Sequence, residues 1–246
     1  MEAAEKLQDK RIVAPEQAEQ TMLEHLTCLR HCFLKSLAAL VAGTLVCAYF
    51  IDIIVGFMVS SVGQLYYMRP AEAFMIYMKL AVGSGFVVAS PIIFYQLWAF
   101  VLPALTRKEK QGFLLCFPIS LLLFLGGIGF GYFVVFPRAL QFFMSFAGGN
   151  LSPIISMEAY LDFMLMLVLP FGFIFTLPVV LVLLAYLGVL TSERMLKYWR
   201  HTVFASFVVA AVVTPTPDIF TQLLLAAPMV VLYFASIGFT KYILRK

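Results

Sequence analysis

The sequence predicts an all-α membrane protein with six transmembrane helices, several of them kinked. Of its 246 residues, 63% are hydrophobic and only 12% are charged. Soluble proteins are about half apolar and about a quarter charged. Several apolar runs reach around 20 residues, which is long enough to cross a bilayer as a helix. The charged residues fall mainly between these runs, so the chain is expected to alternate between spans and short polar connections.

The apolar runs place the six spans at about 34–51, 73–101, 113–136, 160–187, 201–214 and 219–237. Residues 52–72 and 137–159 are the two longer predicted external connections. Prolines lie inside the second, third, fourth and sixth spans, where each removes a backbone donor and bends the helix. The fifth and sixth spans are predicted to be short. The fifth has about 14 residues, roughly 21 Å of helix against roughly 30 Å of hydrocarbon.

The two ends of the chain differ from its apolar body. Residues 1–20 are polar and predict a flexible tail without the features of a cleaved signal peptide. Residues 21–240 form the predicted transmembrane domain. Its first part, 21–33, is amphipathic, with Leu29 and Phe33 on one side and Glu24 and Cys28 on the other. Residues 241–246 form a basic tail.

The basic residues predict the orientation of the chain. Of its 17 Lys and Arg residues, all but Arg69, Lys79 and Arg138 lie near the termini or in the two connections after the second and fourth spans. Basic residues collect on the cytosolic side of a membrane. Both termini are therefore expected in the cytosol. The compact length, without a transit-type extension, favours the cytoplasmic membrane of a bacterium.

The most informative stretch is 91–110, PIIFYQLWAFVLPALTRKEK. Its aromatic cluster is typical of a helix end at the membrane surface, and Pro103 is expected to end that helix. Glu109 is the only carboxylate of the basic connection that follows. This pattern fits either an ordinary aromatic belt with a basic loop, or a receptor for a guest that is both cationic and apolar.

Three segments resemble one family. They are SPIIFYQLWAFVLPAL with its basic, glutamate-containing loop, HLTCLR near the start, and PTPDIFTQLLLAAP near the end. Their order and spacing are similar to those of TatC, the multi-spanning core of the twin-arginine protein translocase, over about residues 22–245. The resemblance implies a rigid, concave bundle that receives twin-arginine signal peptides of folded cargo at its cytosolic end. It also implies several copies per complex, small single-span partners of the TatA/TatB type, and export driven by the proton motive force.

The resemblance also implies the residues that bind a signal peptide. Glu109 matches the acidic position of the family in the first cytosolic loop, Phe100 the aromatic position before it, and Arg30 the arginine of the amino-terminal motif. Where the family usually has a second glutamate, this chain has Cys28. Glu24 lies one turn earlier on the same face and is either its substitute or a plain solvated glutamate. The full predicted binding set is Glu109, Phe100, Trp98, Pro103, Arg30 and Glu24.

Partner docking is expected along the fourth to sixth helices. The family commonly has a glutamate midway along the fourth span, where this chain has Thr176, whose hydroxyl is expected to bond the Gly172 carbonyl. Gln222 in the sixth span requires a hydrogen-bond partner, and Asp218 is interpreted first as a turn residue. The predicted docking set is Thr176, Gln222, Thr214 and Asp218.

Enzymes and nucleic-acid-binding proteins find little support in the sequence. The tripeptide at 83–85, GSG, has no histidine on the same side of the membrane to serve as a base, and HExxH is absent, so an enzyme is not predicted. No nucleic-acid motif and no cofactor site is found. His25, Cys28 and Cys32 share a helix face but lack a fourth metal ligand.

A small-solute secondary transporter is the main alternative. Such a protein requires buried charges near mid-membrane, because ionisable groups deep in hydrocarbon are costly and are retained for function. The candidates in this sequence are Lys79 and Asp162. A transporter would also work alone, whereas the translocase interpretation requires partner subunits.

The predicted orientation can be measured by cysteine labelling in a variant without the four native cysteines. A membrane-impermeant reagent added outside intact cells should modify a cysteine at position 148 and spare one at position 108. The reason is the one-sided distribution of basic residues. The reverse pattern would invert the topology and remove the basis for a cytosolic binding site.

Overall fold

The computed structural model describes residues 27–59, 65–67, 69–101, 109–146, 155–214 and 218–242, with the side chains of 70, 101 and 109–115 left out. The predicted polar tail, Glu24, Pro103 and most of the basic tail lie outside these residues. Within them the chain is almost entirely helical, with a single isolated β-bridge.

The described helices, in chain order, are α1 (Thr27–Tyr49), α2 (Ile51–Val59), α3 (Pro70–Val101), α4 (Glu109–Phe130), α5 (Phe136–Ser145), α6 (Met157–Tyr186), α7 (Ser192–Lys197), α8 (Trp199–Val213) and α9 (Ile219–Tyr242). A five-residue π-helix, Gly131–Val135, joins α4 to α5 without a break. Five stretches are long and apolar enough to span a membrane: α1, α3, the α4–α5 unit, α6 and α9. With the short apolar α8, they correspond in order to the six predicted spans.

Two spans continue past their predicted ends. The third continues through Pro137 to Ser145, and the sixth, with 24 residues, continues to Tyr242. Pro137 does not end the helix because it lies in the first turn of α5, where a proline fits. In the sixth span, Lys241 is part of the last turn. Its long side chain can reach water from a helix end, so the charge does not stop the helix.

The π-helix Gly131–Val135 lies where the α4–α5 unit crosses α6. A Cβ at Gly131 would stand 3.2 Å from the Val168 Cα and 3.3 Å from Phe171. The wider turn of a π-helix shifts the register of the helix that follows it. Beyond it, α5 continues to α9, where the rings of Phe142 and Phe220 stack with centroids 3.9 Å apart.

The proline in α3 shows how this bundle provides a hydrogen bond for a backbone carbonyl that a proline leaves without a donor. Pro91 has no N–H to donate to the Val87 carbonyl, as the sequence predicts. The Ser90 hydroxyl donates to that carbonyl instead, at 2.7 Å. Because lipid offers no hydrogen bonds, a freed carbonyl inside a span requires such a local donor. The helix therefore keeps this polar group paired.

Glycines bring helix backbones together at two places. A Cβ at Gly127 in α4 would overlap the carbonyl of Phe171 in α6. Similarly, a Cβ at Gly85 in α3 would lie 2.6 Å from the backbone of Thr44 in α1, and one at Gly43 would lie 2.7 Å from the Gly85 carbonyl oxygen. Small residues permit this close approach, which supports helix association in membranes.

The end of the bundle where α1 ends and α6 begins, here called the far end, is tied by polar contacts. Glu72 is 5% exposed. Its carboxylate accepts hydrogen bonds from the Ser156 hydroxyl at 2.6 Å, the Glu158 amide at 3.3 Å and the Arg69 amide at 3.1 Å. It therefore caps the first turn of α6 from another helix.

The same end carries an ion-pair cluster. Lys79 on α3 contacts Asp162 at 2.8 Å and Glu158 at 3.2 Å, both on α6. The three side chains are 37–42% exposed. Together with the β-bridge between Tyr66 and Ser156, these contacts join the start of α3 to the start of α6.

We expect Gly127→Leu to destabilise the protein by about 1–3 kcal/mol or more, because the side chain would have to enter the α4–α6 contact. Gly126→Leu is the matched control, since a Cβ there meets nothing within 4 Å. Thermal unfolding in detergent measures both. Equal melting temperatures for the two variants would contradict the backbone contact described above.

Glu72→Gln is expected to cost about 1–3 kcal/mol, because the amide presents a donor where the carboxylate accepted hydrogen bonds. Glu158→Gln, on the same surface, should change stability by less than about 1 kcal/mol, since its ion pair is exposed and Lys79 retains Asp162. Denaturant unfolding of both variants provides the measurement. A larger effect at Glu158 than at Glu72 would refute the capping role.

Candidate functional site at the basic end

The opposite end of the bundle, here called the basic end, is where α1 begins, α3 ends and α7 lies. Its exposed cations include Arg30, Lys35, Arg194, Lys197, Arg200 and Lys241. The guanidinium of Arg200 lies 5.6 Å from the ring centre of Trp199. Tyr233 on α9 donates a hydrogen bond to the Met195 carbonyl at 2.8 Å, and this bond holds α7 against α9.

Trp98 anchors the end of α3. It is 8% exposed and packs with Phe94, Phe124 and Val179. Its indole N–H donates to the Ser120 hydroxyl on α4 at 2.8 Å, as a buried tryptophan requires. The sequence predicts that Trp98 covers an apolar guest at the surface. The structure instead places it in the core, where it fixes α3 against α4.

The remaining predicted binding residues are placed as follows. Phe100, two residues after Trp98, is partly buried beside α1. Arg30 is exposed on α1. Glu109 is the first residue of α4, and its side chain lies outside the described residues, as do Pro103 and Glu24. The structure thus brings Phe100 to the same end as Arg30 and the start of α4.

A groove, here called the basic-end groove, separates α1 from the last part of α3. Its volume is about 370 Å³, and Phe100 lines it together with Leu29, Cys32, Phe33, Ser36, Leu37, Leu40, Phe86, Ile93, Gln96 and Leu97. The Cys32 thiol in its wall is free, as is that of Cys28 one turn earlier. Among the described residues no group of three His, Cys, Asp or Glu could hold a metal ion.

The predicted docking residues mostly have partners within the chain. The Thr176 hydroxyl donates a hydrogen bond to the Phe173 carbonyl at 2.7 Å. The sequence predicts the neighbouring Gly172 carbonyl as the acceptor, so the acceptor differs by one residue. Gln222 donates to the Phe207 carbonyl on α8 at 3.0 Å.

Asp218 precedes α9 and accepts hydrogen bonds from the amide and the hydroxyl of Thr221 at 2.8 and 2.6 Å. A side-chain oxygen that accepts from the third residue of a helix is an N-cap. The carboxylate therefore starts α9, which agrees with its interpretation as a turn residue.

Thr214 differs from these residues. It is 8% exposed, and its hydroxyl is the buried polar side-chain atom that has no hydrogen-bond partner within the described part of the chain. Buried polar groups are nearly always paired. Thr214 follows Val213 as the C-terminal cap of α8, so this hydroxyl lies at the end of that helix.

The four docking residues do not form one cluster. Phe220 stacks on Phe142, whose neighbour Phe143 contacts Phe163 on α6. The start of α9 therefore lies near the level of Phe163. Thr176 follows Phe163 by 13 residues, roughly 20 Å along the helix. The other three docking residues share the region where α8 meets α9, while Thr176 lies closer to the basic end.

Sequence reasoning missed Gln96 and Glu72. Gln96 interrupts an apolar run in α3, and an amide in such a run is a usable signal because polar groups in hydrocarbon are costly. Glu72 is interpreted as an ordinary loop residue from sequence, since its burial depends on a segment more than 80 residues away.

These features define a multi-spanning helical membrane protein with a polar, basic end and a second end tied by buried carboxylate contacts. A family model described as Sec-independent protein translocase protein (TatC) matches residues 24–228. The chain belongs to the TatC family.

Individual relatives agree over nearly the whole length. The TatC protein of Carboxydothermus hydrogenoformans is 37% identical over 235 residues, covering 94% of this chain and 97% of the relative. The chloroplastic TATC protein of Arabidopsis thaliana is 36% identical, covering 92% and 68%. A crystal structure titled twin arginine translocase receptor TatC superimposes with a TM-score of 0.77 at 35% identity, covering 88% of this chain and 98% of that one.

Proposed function

We propose that this protein is the signal-peptide receptor and core subunit of a twin-arginine translocase, which exports folded proteins across a bacterial cytoplasmic membrane. The observation that carries the proposal is the match to TatC proteins over about nine tenths of the chain, including a structure described as the translocase receptor. The relatives are translocase components, which argues for transport and against an enzyme.

The basic end is the proposed receptor surface, facing the cytosol. An arginine pair approaching Arg30 and the other cations there is repelled, so binding requires a specific acceptor. A carboxylate accepts both N–H groups of a guanidinium side by side. Glu109, at the start of α4, is the proposed acceptor, and Phe100 provides the neighbouring apolar contact.

Other residues of the predicted set have supporting parts in this proposal. Trp98 holds the end of α3 against α4 through Ser120, so it is a positioning residue. Pro103 is proposed to end the helix before the basic connection. Glu24 is proposed to supply the second carboxylate that the family usually has where this chain has Cys28.

The secondary-transporter alternative receives less support. It requires buried charges near the middle of the membrane, yet Lys79 and Asp162 are partly exposed and pair with each other. Both lie within the first three turns of their helices, counted from the far end. An ion pair between Lys79 and Asp162 near the ends of their helices is expected of a structural contact at the membrane surface. It does not provide the mid-membrane charge that a transporter requires.

Small single-span partners of the TatA/TatB type are proposed to dock along the fourth to sixth spans, which are α6, α8 and α9. Thr214 at the end of α8 is buried, so support for this region comes from its exposed neighbours. Two large apolar side chains close to it in the chain, Val212 and Ile219, are 81% and 84% exposed. Because Gln222 and Asp218 already have partners in the chain, these exposed apolar side chains are the groups left for a partner.

Glu109→Ala is expected to weaken binding of a twin-arginine signal peptide by roughly 10- to 150-fold, the loss of about 1.5–3 kcal/mol for a charged hydrogen bond. A twin-lysine peptide should lose far less, because lysine lacks the bidentate geometry. Titration of both peptides against membranes containing the protein measures the difference. Glu24→Ala should also weaken binding of the twin-arginine peptide more than that of the twin-lysine peptide, but by a smaller factor than Glu109→Ala.

The matched control is Glu193→Ala, an exposed glutamate on α7 at the same end, which should leave both affinities unchanged. If both peptides bind equally to the wild-type protein, and equally again to Glu109→Ala, the receptor proposal fails.

Photocrosslinkers at positions 176 and 222 should capture a small single-span partner in membranes that contain the whole complex. A crosslinker at Leu122 on α4, which is 70% exposed, is the control and should capture mainly lipid. Capture of lipid alone from both 176 and 222 would show that the docking surface lies elsewhere.

A further inference from the structure

Two cysteines lie side by side near the start of α1, at the basic end. Cys28 and Cys32 are four residues apart and therefore share one face of the helix. Their thiols are close enough for one to hydrogen-bond to the other. Both thiols are free, and both side chains are partly exposed. Two accessible thiols in contact can bind a ligand together, and the proposed function gives this pair no part.

The helix geometry favours a bridged pair of sulfur atoms over a disulfide. Side chains at positions i and i+4 of a helix have their Cβ atoms about 5–6 Å apart, whereas a disulfide needs about 3.5–4.5 Å. A metal ion between two sulfur atoms adds two bonds of about 2.3 Å each. It can therefore join Cys28 to Cys32 without a change in the helix backbone.

The number and type of the ligands select the metal ion. Among the residues that the structure describes, no group of three His, Cys, Asp or Glu could hold an ion. A structural Zn²⁺ site takes four ligands, and Mg²⁺ or Ca²⁺ takes oxygen ligands. Thiolates are soft ligands that select Cu⁺, and Cu⁺ forms linear complexes with two of them. The pair is therefore suited to Cu⁺.

The charges around the pair favour such a complex. When two neutral thiols bind Cu⁺, both release their protons, so the complex carries one negative charge and neither sulfur nor copper changes its oxidation state. Lys35, one turn after Cys32, is close enough for its positive charge to act on that thiol. A nearby lysine stabilises a thiolate, and hence the negatively charged complex.

We propose that Cys28 and Cys32 form a two-coordinate site for Cu⁺ on α1. The site rests on the geometry of the pair. Its consequence for binding rests on the proposed function: Cu⁺ places a negative charge beside Arg30, on the surface proposed to receive an arginine pair. The loaded site therefore adds attraction for that pair where the other charges of the basic end repel it.

The test titrates the full-length protein, in detergent and without oxygen, with Cu⁺ held by a chromophoric chelator. The wild-type protein should bind one Cu⁺ per chain. The double variant Cys47→Ser/Cys116→Ser keeps the pair and should bind Cu⁺ equally well. Loss of an outer-shell partner already lowers metal affinity by about 10- to 100-fold, so Cys28→Ser or Cys32→Ser should lower it at least as much.

X-ray absorption of the loaded wild-type protein provides a readout that needs no variant, and it should show two sulfur neighbours of copper. Thermal unfolding without metal checks that each variant is folded. Nitrogen or oxygen neighbours in place of the sulfur atoms would overturn the site. Full affinity in Cys28→Ser, loss of binding in the Cys47→Ser/Cys116→Ser variant, or Zn²⁺ bound as tightly as Cu⁺ would overturn it as well.

Peptide binding measures the consequence separately. Cu⁺ should raise the affinity of the wild-type protein for a twin-arginine peptide by roughly two- to fivefold, the effect of one exposed charge pair, and should not change that of Cys28→Ser. An unchanged affinity of the loaded wild-type protein would refute the consequence. Absence of peptide binding with and without Cu⁺ would contradict the proposed function, whereas the titration decides the metal site by itself.

Discussion

The structure depends on close approach of helix backbones at a few glycines. Within a bilayer, lipid competes for apolar surface, so packing and hydrogen bonding replace the hydrophobic effect in joining helices. Gly127 allows α4 to lie directly on Phe171 of α6, and Gly85 allows α3 to lie on Thr44 of α1. The first contact holds the centre of the bundle, and the second sets the point from which α1 diverges.

The two ends of the bundle are built differently. At the far end, Glu72 and the Lys79 cluster join α3 to α6 through charged hydrogen bonds. At the basic end, Trp98 and Ser120 join α3 to α4, while α1 stands apart across the groove. This arrangement suits a protein whose far end is held rigid by polar contacts while its basic end is open to a ligand.

Polar residues inside the spans serve mainly the protein itself. Thr176 and Ser90 bond carbonyls of their own helices, and Gln222 links α9 to α8. Each of these groups would otherwise be unpaired in hydrocarbon. Within the described part of the chain, the side chains without a hydrogen-bond partner include the buried hydroxyl of Thr214 and the amide of Gln96.

Sequence alone determined the class of fold, the order of the spans, the short fifth helix and the basic end, because hydropathy, length and charge act locally. It also marked Phe100, Glu109 and Arg30 through resemblance. Tertiary structure decided the rest. Trp98 is a core residue because its partner, Ser120, lies on α4. Glu72 is a cap because its partner, Ser156, lies at the start of α6. The groove exists only because two glycines, distant in sequence, set one crossing, and no local pattern records which helices will meet.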